Sequence, residues 1–236
     1  MDRILRFLQE HEEEMLEDLR LFVEQETPST EKKLLDDFAR FLADYAATVG
    51  GRAEILPAVG SGDHVRIRWD DEGSGPPIFL LGHYDTVWAE GTIKEMPFGV
   101  RGDIATGPGV FDMKCGLVQS FWAVKTAREV LGVHKPIVFL CNSDEEISSP
   151  GSRTLIEAEA RRAAAVLVRA KPGRSAQDGP QRGWPLPGPR HRQAGPRRSR
   201  PEGWRERHRR ALQARPRAAR PLRPRRHGYD GKRRRR

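Results

Sequence analysis

The first 168 residues of this 236-residue sequence predict an α/β fold, a sheet with helices on both faces, and three observations predict it. Short apolar runs alternate with longer segments of helical periodicity, the order expected of strands separated by crossover helices. The runs Ile78–Leu81 and Ile137–Leu140 are continuously apolar, as strands buried on both faces are. Turn-forming clusters such as Gly50-Gly51 and Gly73–Pro77 fall between the periodic segments.

Taken in order, residues 2–25 read as one amphipathic surface helix whose stripe is Ile4, Leu5, Leu8, Met15, Leu19, Phe22 and Val23. Thr27-Pro28-Ser29-Thr30 stops that helix and caps a second, Glu31 to Val49. Ala53–Leu56 and Val65–Trp69 form a strand pair, and Ile78–Leu81 is a buried strand. A helix from Met113 to Leu131 carries Leu117, Phe121, Val124 and Ala127 on one stripe. A second buried strand follows at Ile137–Leu140, then a helix from Ser152 to Ala160, and Ala164–Val168 begins a third core strand. There the regular order stops.

Charge divides the chain at the same place. The formal net charge of +9 suggests a nucleic-acid or membrane partner only if it is averaged. Residues 169–236 hold 24 basic and 4 acidic residues, about +20, whereas residues 1–168 hold 18 basic and 29 acidic, about −11. The body and the tail therefore need separate readings. The tail is rich in Arg, Pro, Gly and Ala without apolar periodicity, and a disordered basic segment is expected there. Cys115 and Cys141 are the only cysteines and read as buried free thiols of a reducing compartment. No apolar run approaches the ~20 residues of a membrane span, and Met1-Asp2-Arg3-Ile4 opens an acidic helix rather than a signal peptide. A cytoplasmic protein with no membrane partner is the expectation.

Three segments carry the chemistry, each beside a predicted core element, where an open α/β sheet places its working residues. Gly82-His83-Tyr84-Asp85-Thr86 follows the first buried strand. Two residues apart in extended backbone, His83 and Asp85 share a face, so an imidazole could ligate a metal while the carboxylate orients it. A structural histidine is the alternative. Asp112 stands at the start of the 113–131 helix, as a helix cap or as a carboxylate bridging two metal ions. Asn142-Ser143-Asp144-Glu145-Glu146 follows the second buried strand. Its three adjacent carboxylates repel one another unless cations neutralise them, or unless the loop is simply solvated.

Together these phrases resemble the zinc exopeptidases of peptidase family M20, which include carboxypeptidase G2, aminoacylases, succinyl-diaminopimelate desuccinylase and acetylornithine deacetylase. The resemblance covers residues 1–168 and is nearest the carboxypeptidase G2 (glutamate carboxypeptidase) branch. It is carried by Leu80–Val87, Gly91-Thr92, Met96-Pro97-Phe98, Gly107–Val110, Asp112-Met113-Lys114, Asn142–Glu146 and Gly151-Ser152. It implies a three-layer zinc-exopeptidase catalytic domain and a two-zinc site, with cobalt or manganese as other occupants. His83 would ligate one ion, Asp85 would orient His83, and Asp112 would bridge both ions ahead of a cis peptide to Met113. Glu146 would ligate the second ion, and Glu145 would be the general base. His11, His64 and His134 lie outside these phrases and are not expected to be ligands. The implied reaction is release of a C-terminal, glutamate-like residue from a small peptide or N-acyl amino acid. Dipeptidase and N-acyl-amino-acid deacylase activities share the same residues.

The resemblance breaks after Val168. The family also needs a Glu-Pro ligand phrase, a later histidine ligand and an inserted domain through which it forms homodimers, and none is legible here. Back-translating the tail with degenerate codons, one base to the right, changes this. Arg169-Ala170-Lys171 then permits Glu-Pro-Ser, and two phrases resembling the start of the dimerisation domain follow in the same register, from Asp178–Leu186 and Arg192–Arg207. The expectation is therefore a single-base frameshift near Val168–Arg169. It makes 1–168 the N-terminal part of the catalytic domain, 169–236 an out-of-frame tail, and this chain an inactive fragment with homodimerisation in doubt. The competing reading is a nucleic-acid-binding protein acting through the tail, with Trp184 and Trp204 stacking on bases. No fold or repeat supports specific nucleic-acid recognition.

Overall fold

The computed structural model of the protein describes residues 2–69 and 75–168, together with the backbone of Trp184–Pro185. Apart from Trp184–Pro185, the expected basic tail, including Trp204, lies outside the described residues, as does the start of the 73–77 turn. Along the chain run α1 (Asp2–Glu10), α2 (Glu12–Glu24), α3 (Lys32–Thr48), β1 (Arg52–Leu56), β2 (His64–Trp69) and β3 (Ile78–His83). They are followed by α4 (Thr92–Glu95), β4 (Gly99–Arg101), β5 (Ile104–Thr106), a wide turn at Val110–Lys114, α5 (Cys115–Glu129), β6 (Ile137–Asn142), α6 (Arg153–Arg162) and β7 (Ala165–Val168).

The main sheet has the order β1-β2-β6-β3-β7. β1 and β2 pair antiparallel, as do β2 and β6, while β3 lies parallel to both β6 and β7. A small antiparallel sheet joins β4 to β5, with the backbone of Trp184–Pro185 against β5. Alternation along β6 fixes the two layers of helices. Ile137, Phe139 and Cys141 face the larger core with residues of α2, α3 and α5, whereas Val138 and Leu140 face a smaller one with Leu155, Ile156 and Ala160 of α6. The larger core is an aromatic cluster of edge-on rings: Phe22 on Tyr45 at 4.9 Å, Tyr45 on Phe121 at 4.9 Å and Phe121 on Phe139 at 5.4 Å between centroids. Beneath it, buried Asp18 accepts hydrogen bonds from the Tyr45 hydroxyl at 2.7 Å and the Trp122 indole at 2.8 Å, which ties α2 to α3 and α5. This three-layer α/β arrangement is the fold class that the sequence predicts.

Three expectations need correction. The single helix over 2–25 is two, broken at His11, because Glu12, Glu13 and Glu14 favour a new helix N-terminus behind them. The helix expected from Met113 begins at Cys115, since Asp112 and Met113 are not helical. The third strand is present but, among the described residues, at the sheet edge: Val166, Leu167 and Val168 are 42%, 52% and 57% exposed, where a core strand would be covered. No helix among the described residues is long and apolar enough to cross a membrane.

Candidate metal centre

β3 and β6 run parallel and end level, with His83 opposite Asn142. The segments that follow both strands therefore leave the sheet at one edge. The turn before α5 supplies a third segment. It begins at Gly109, whose φ of +70° suits glycine and where a Cβ would lie 2.7 Å from Thr86 Cγ2. Asp112 (φ −127°, ψ 97°) and Met113 (φ −135°, ψ 37°) leave the helical region, and the peptide between them is cis. The residue in the capping position of α5 is Lys114, not Asp112. Gly82 lets this turn sit on β3, because a Cβ there would be 2.8 Å from Met113 Cε and 3.0 Å from Leu117 Cδ2.

The structure brings His83, Asp85, Asp112, Glu145 and Glu146 together. The His83 ring is buried, with Nδ1 3.0 Å from the Asp85 carbonyl oxygen and 3.3 Å from Asp85 Oδ1. Its Nε2 faces the open side, 3.2 Å from Asp112 Oδ1 and 3.5 Å from Glu145 Oε2. Ligand atoms of His83, Glu145 and Glu146 all lie within 4.8 Å of one another, and Asp112 joins them through His83 Nε2.

Electrostatics tests whether a cation fits. Burial alone would lower the His83 pKa, but the carboxylates of Asp112 and Asp85 outweigh it and push the ring up to about 10. Burial pushes the Glu146 carboxyl up to about 7, against the pull of His83, with Asp112, Asp85 and Glu145 adding to the rise. Four carboxylates thus converge on one imidazole, a crowding of negative charge that raises the proton affinity of both His83 and Glu146. A divalent ion with mixed nitrogen and oxygen ligands fits this set.

Asp85 is the hub behind the site. Fully buried, its Oδ1 accepts the backbone N–H of Glu145 at 3.1 Å, and its Oδ2 accepts that of Glu146 at 3.1 Å and the Ser29 hydroxyl at 2.9 Å. Asp144 points away from the metal side. Its Oδ1 accepts from Ser152 Oγ at 2.6 Å and Asn142 Nδ2 at 3.1 Å, and its Oδ2 from the N–H groups of Gly151 at 2.7 Å and Ser152 at 3.0 Å. Burial raises the proton affinity of Asp144, but these hydrogen bonds hold its pKa below the ordinary carboxylate value. Lys114, two residues after Asp112, is buried and donates to the Gln25 carbonyl. Burial pulls its pKa down to about 7, with Glu26 opposing.

The sequence places Ser29 in a segment that stops one helix and caps the next, a side-chain cap that α3 does not have, and gives Lys114 no role of its own. Nothing in the pattern shows that residues 27–29 pair with residue 86, which is the contact that brings Ser29 to Asp85. His11 and His134 are not among the residues that converge here. His64 is buried against Ser143 and is not among them either.

A family model described as peptidase family M20/M25/M40 matches residues 79–203. Carboxypeptidase G2 of Pseudomonas sp. (strain RS-16) is 42% identical over 95 residues, 39% of this chain and 23% of that protein. Acetylornithine deacetylase of Pasteurella multocida (strain Pm70) is 32% identical over 120 residues, 49% of this chain and 31% of that protein. The chain thus spans about a quarter to a third of the curated relatives it matches. Among solved structures, human carnosine dipeptidase 1 aligns with TM-score 0.61 and 16% identity over 71% of this chain and 40% of its own. The M20 family metallo-carboxypeptidase Sso-CP2 of Sulfolobus solfataricus aligns with TM-score 0.58 and 20% identity over 66% and 37%. These structural likenesses bear on the fold.

Proposed function

Because this chain belongs to peptidase family M20/M25/M40, we propose that its described residues are part of a two-metal exopeptidase site, specific for a C-terminal glutamate-like residue on a small peptide or N-acyl substrate. The observation that carries this reading is the convergence of His83, Asp112, Glu145 and Glu146 at the level ends of β3 and β6. The carboxypeptidase reading is supported by the higher identity to carboxypeptidase G2. Deacylase and dipeptidase chemistry are the alternatives, in line with the acetylornithine deacetylase relative.

In this reading His83, through Nε2, and Glu146 would each help to hold an ion, and Asp112 would serve both. Zinc is the expected metal, with cobalt or manganese able to take the same donors. Bound there, the ions would supply an acidified water and a polarised scissile carbonyl. Asp85 keeps the proton of His83 on Nδ1, which leaves Nε2 as the ligand atom. Glu145, the more exposed of the two glutamates, takes a proton from the attacking water and delivers it to the departing amine nitrogen.

Residues 169–236 are proposed to be read out of frame, so that ligands needed by both ions are missing. The 236-residue chain should then bind Zn²⁺ weakly and show no measurable hydrolysis. The test is Zn²⁺ uptake by equilibrium dialysis, with His83→Ala and Glu146→Gln as controls, alongside release of glutamate from an N-acyl glutamate. Uptake unchanged in both variants would remove the site assignment. Turnover by the unaltered chain would remove the out-of-frame assignment.

A further inference from the structure

We propose that Ser29 is a positioning residue of the metal centre: its hydroxyl fixes the carboxylate of Asp85, and through it the His83 ring and the backbone of Glu145 and Glu146. The inference rests on the reading of the site as a metal centre.

Asp85 joins three segments with two oxygens. Oδ1 accepts the Glu145 N–H at 3.1 Å and faces His83 Nδ1 at 3.3 Å, while Oδ2 accepts the Glu146 N–H at 3.1 Å and the Ser29 hydroxyl at 2.9 Å. Each oxygen therefore has two partners, the natural complement of its lone pairs. Without the Ser29 hydroxyl, Oδ2 keeps one donor while Oδ1 keeps two. The carboxylate is then held less firmly against turning about its Cβ–Cγ bond. Any such turn moves Oδ1 off both the His83 ring and the loop that presents Glu145.

Ser29 is placed by backbone pairing. Its N–H donates to the Thr86 carbonyl at 3.0 Å, the Thr86 N–H donates to the Thr27 carbonyl at 2.8 Å, and Pro28 bridges Thr86 in parallel. Thr27 Oγ1 adds a bond to the Tyr84 carbonyl at 2.6 Å. Residues 27–29 thus form a strap along residues 84–86. The Ser29 hydroxyl can also reach the Thr86 carbonyl at 3.2 Å, but the charged acceptor at 2.9 Å is the stronger partner. Ser29 does not serve as a cap for α3, which has no side-chain capping bond.

The test uses the full 236-residue chain with Zn²⁺ or Co²⁺ alone as probe, in wild type, Ser29→Ala, Ser29→Thr and Thr27→Val. Loss of a partner behind a metal ligand lowers metal affinity about 10–100-fold, and Ser29→Ala, one bond further out, should fall near 10-fold. Ser29→Thr should restore affinity. Thr27→Val removes a bond of the same strap without touching Asp85, so it should lower the melting temperature and leave affinity unchanged. In metal-free protein, the ring ¹H–¹⁵N resonances of His83 should move in Ser29→Ala but not in Thr27→Val.

Ser29→Ala with wild-type affinity and unmoved His83 resonances would overturn the proposal. If wild type takes up no metal, the missing ligands of the out-of-frame reading account for that, and the resonances in metal-free protein then decide for or against Ser29. Should Ser29→Ala not fold, Ser29→Cys keeps the size and weakens the donor, and a loss of affinity no larger than that of Ser29→Thr would count against the assignment.

Discussion

Asp144, Glu145 and Glu146 are consecutive carboxylates, and the sequence offers no way to tell them apart except by family resemblance. The structure separates them by where the chain turns. Glu145 and Glu146 are suspended from Asp85 by their backbone N–H groups, so their side chains stay on the His83 side. Asp144 is completely buried and gathers four donors from Asn142, Gly151 and Ser152. Asp144→Ala orphans those donors inside the protein, and we predict a loss of about 3 kcal/mol or more in urea unfolding. Asp144→Asn keeps one acceptor oxygen and should lose less. A loss below about 1 kcal/mol for the alanine variant would show that water replaces the carboxylate. At this scale the candidate residues were legible because strand ends are where such residues act. The separation of Asp144 from its neighbours was not legible, because it depends on Gly151 and Ser152 folding back seven and eight residues later.

At the scale of elements, His64 opens β2 and supports the loop after β6. Its Nδ1 lies 3.3 Å from the Ser143 N–H nitrogen and 3.1 Å from Ser143 Oγ, and the hydroxyl also donates to the Gly62 carbonyl. An imidazole that accepts the N–H of Ser143 is neutral at Nδ1. Burial lowers the His64 pKa from 6.5, while Asp144, Asp63 and Asp85 pull it up and Lys32 pulls it down. The folded value is therefore below the unfolded one, and between the two the unfolded chain binds more protons. Stability from this group is fully present above about 6.5 and is lost as pH falls through that window. We predict that His64→Asn loses this pH dependence, read as a smaller difference in urea midpoint between pH 5 and pH 7.5 than in wild type. An identical difference in both proteins would place the titration elsewhere. The same neighbourhood shows why element ends are hard to read from sequence: β3 and β6 extend beyond their apolar runs to His83 and Asn142, polar residues held by each other's strand. The break at His11 was equally hidden, since the apolar stripe continues across it and only the three glutamates behind it mark a new start.

For the whole molecule, the sheet edge that β7 forms among the described residues is the first consequence. β7 carries Val166, Leu167 and Val168 with about half of each exposed, and a flat apolar edge strand is a template for pairing with other chains. Leu167→Lys should raise the soluble fraction on centrifugation at rising concentration, while Leu155→Lys, which strikes the α6 core, should lower it. If Leu167→Lys makes no difference, that edge is covered in solution.

The second consequence concerns residues 169–236. The shift from about −11 to about +20 across Val168 is abrupt, and no single selected surface need produce it. A reading-frame change would produce it, because out-of-frame GC-rich codons yield Arg, Pro, Gly and Ala together. The family match runs on to residue 203, so the boundary at Val168 rests on composition and codon register rather than on where that match stops. We predict that source DNA across Gly151 to Ser199 contains one base more or fewer than this sequence implies. The corrected chain would then gain a Glu-Pro phrase directly after β7, next in the sheet to the strand that carries His83. It should also bind Zn²⁺ more tightly than the 236-residue chain, since each ion would approach the three protein ligands usual for zinc. If the DNA stands as read, the tail is genuine protein. Its charge would then bind polyanions with a steep salt dependence, and removing residues 169–236 should abolish that binding.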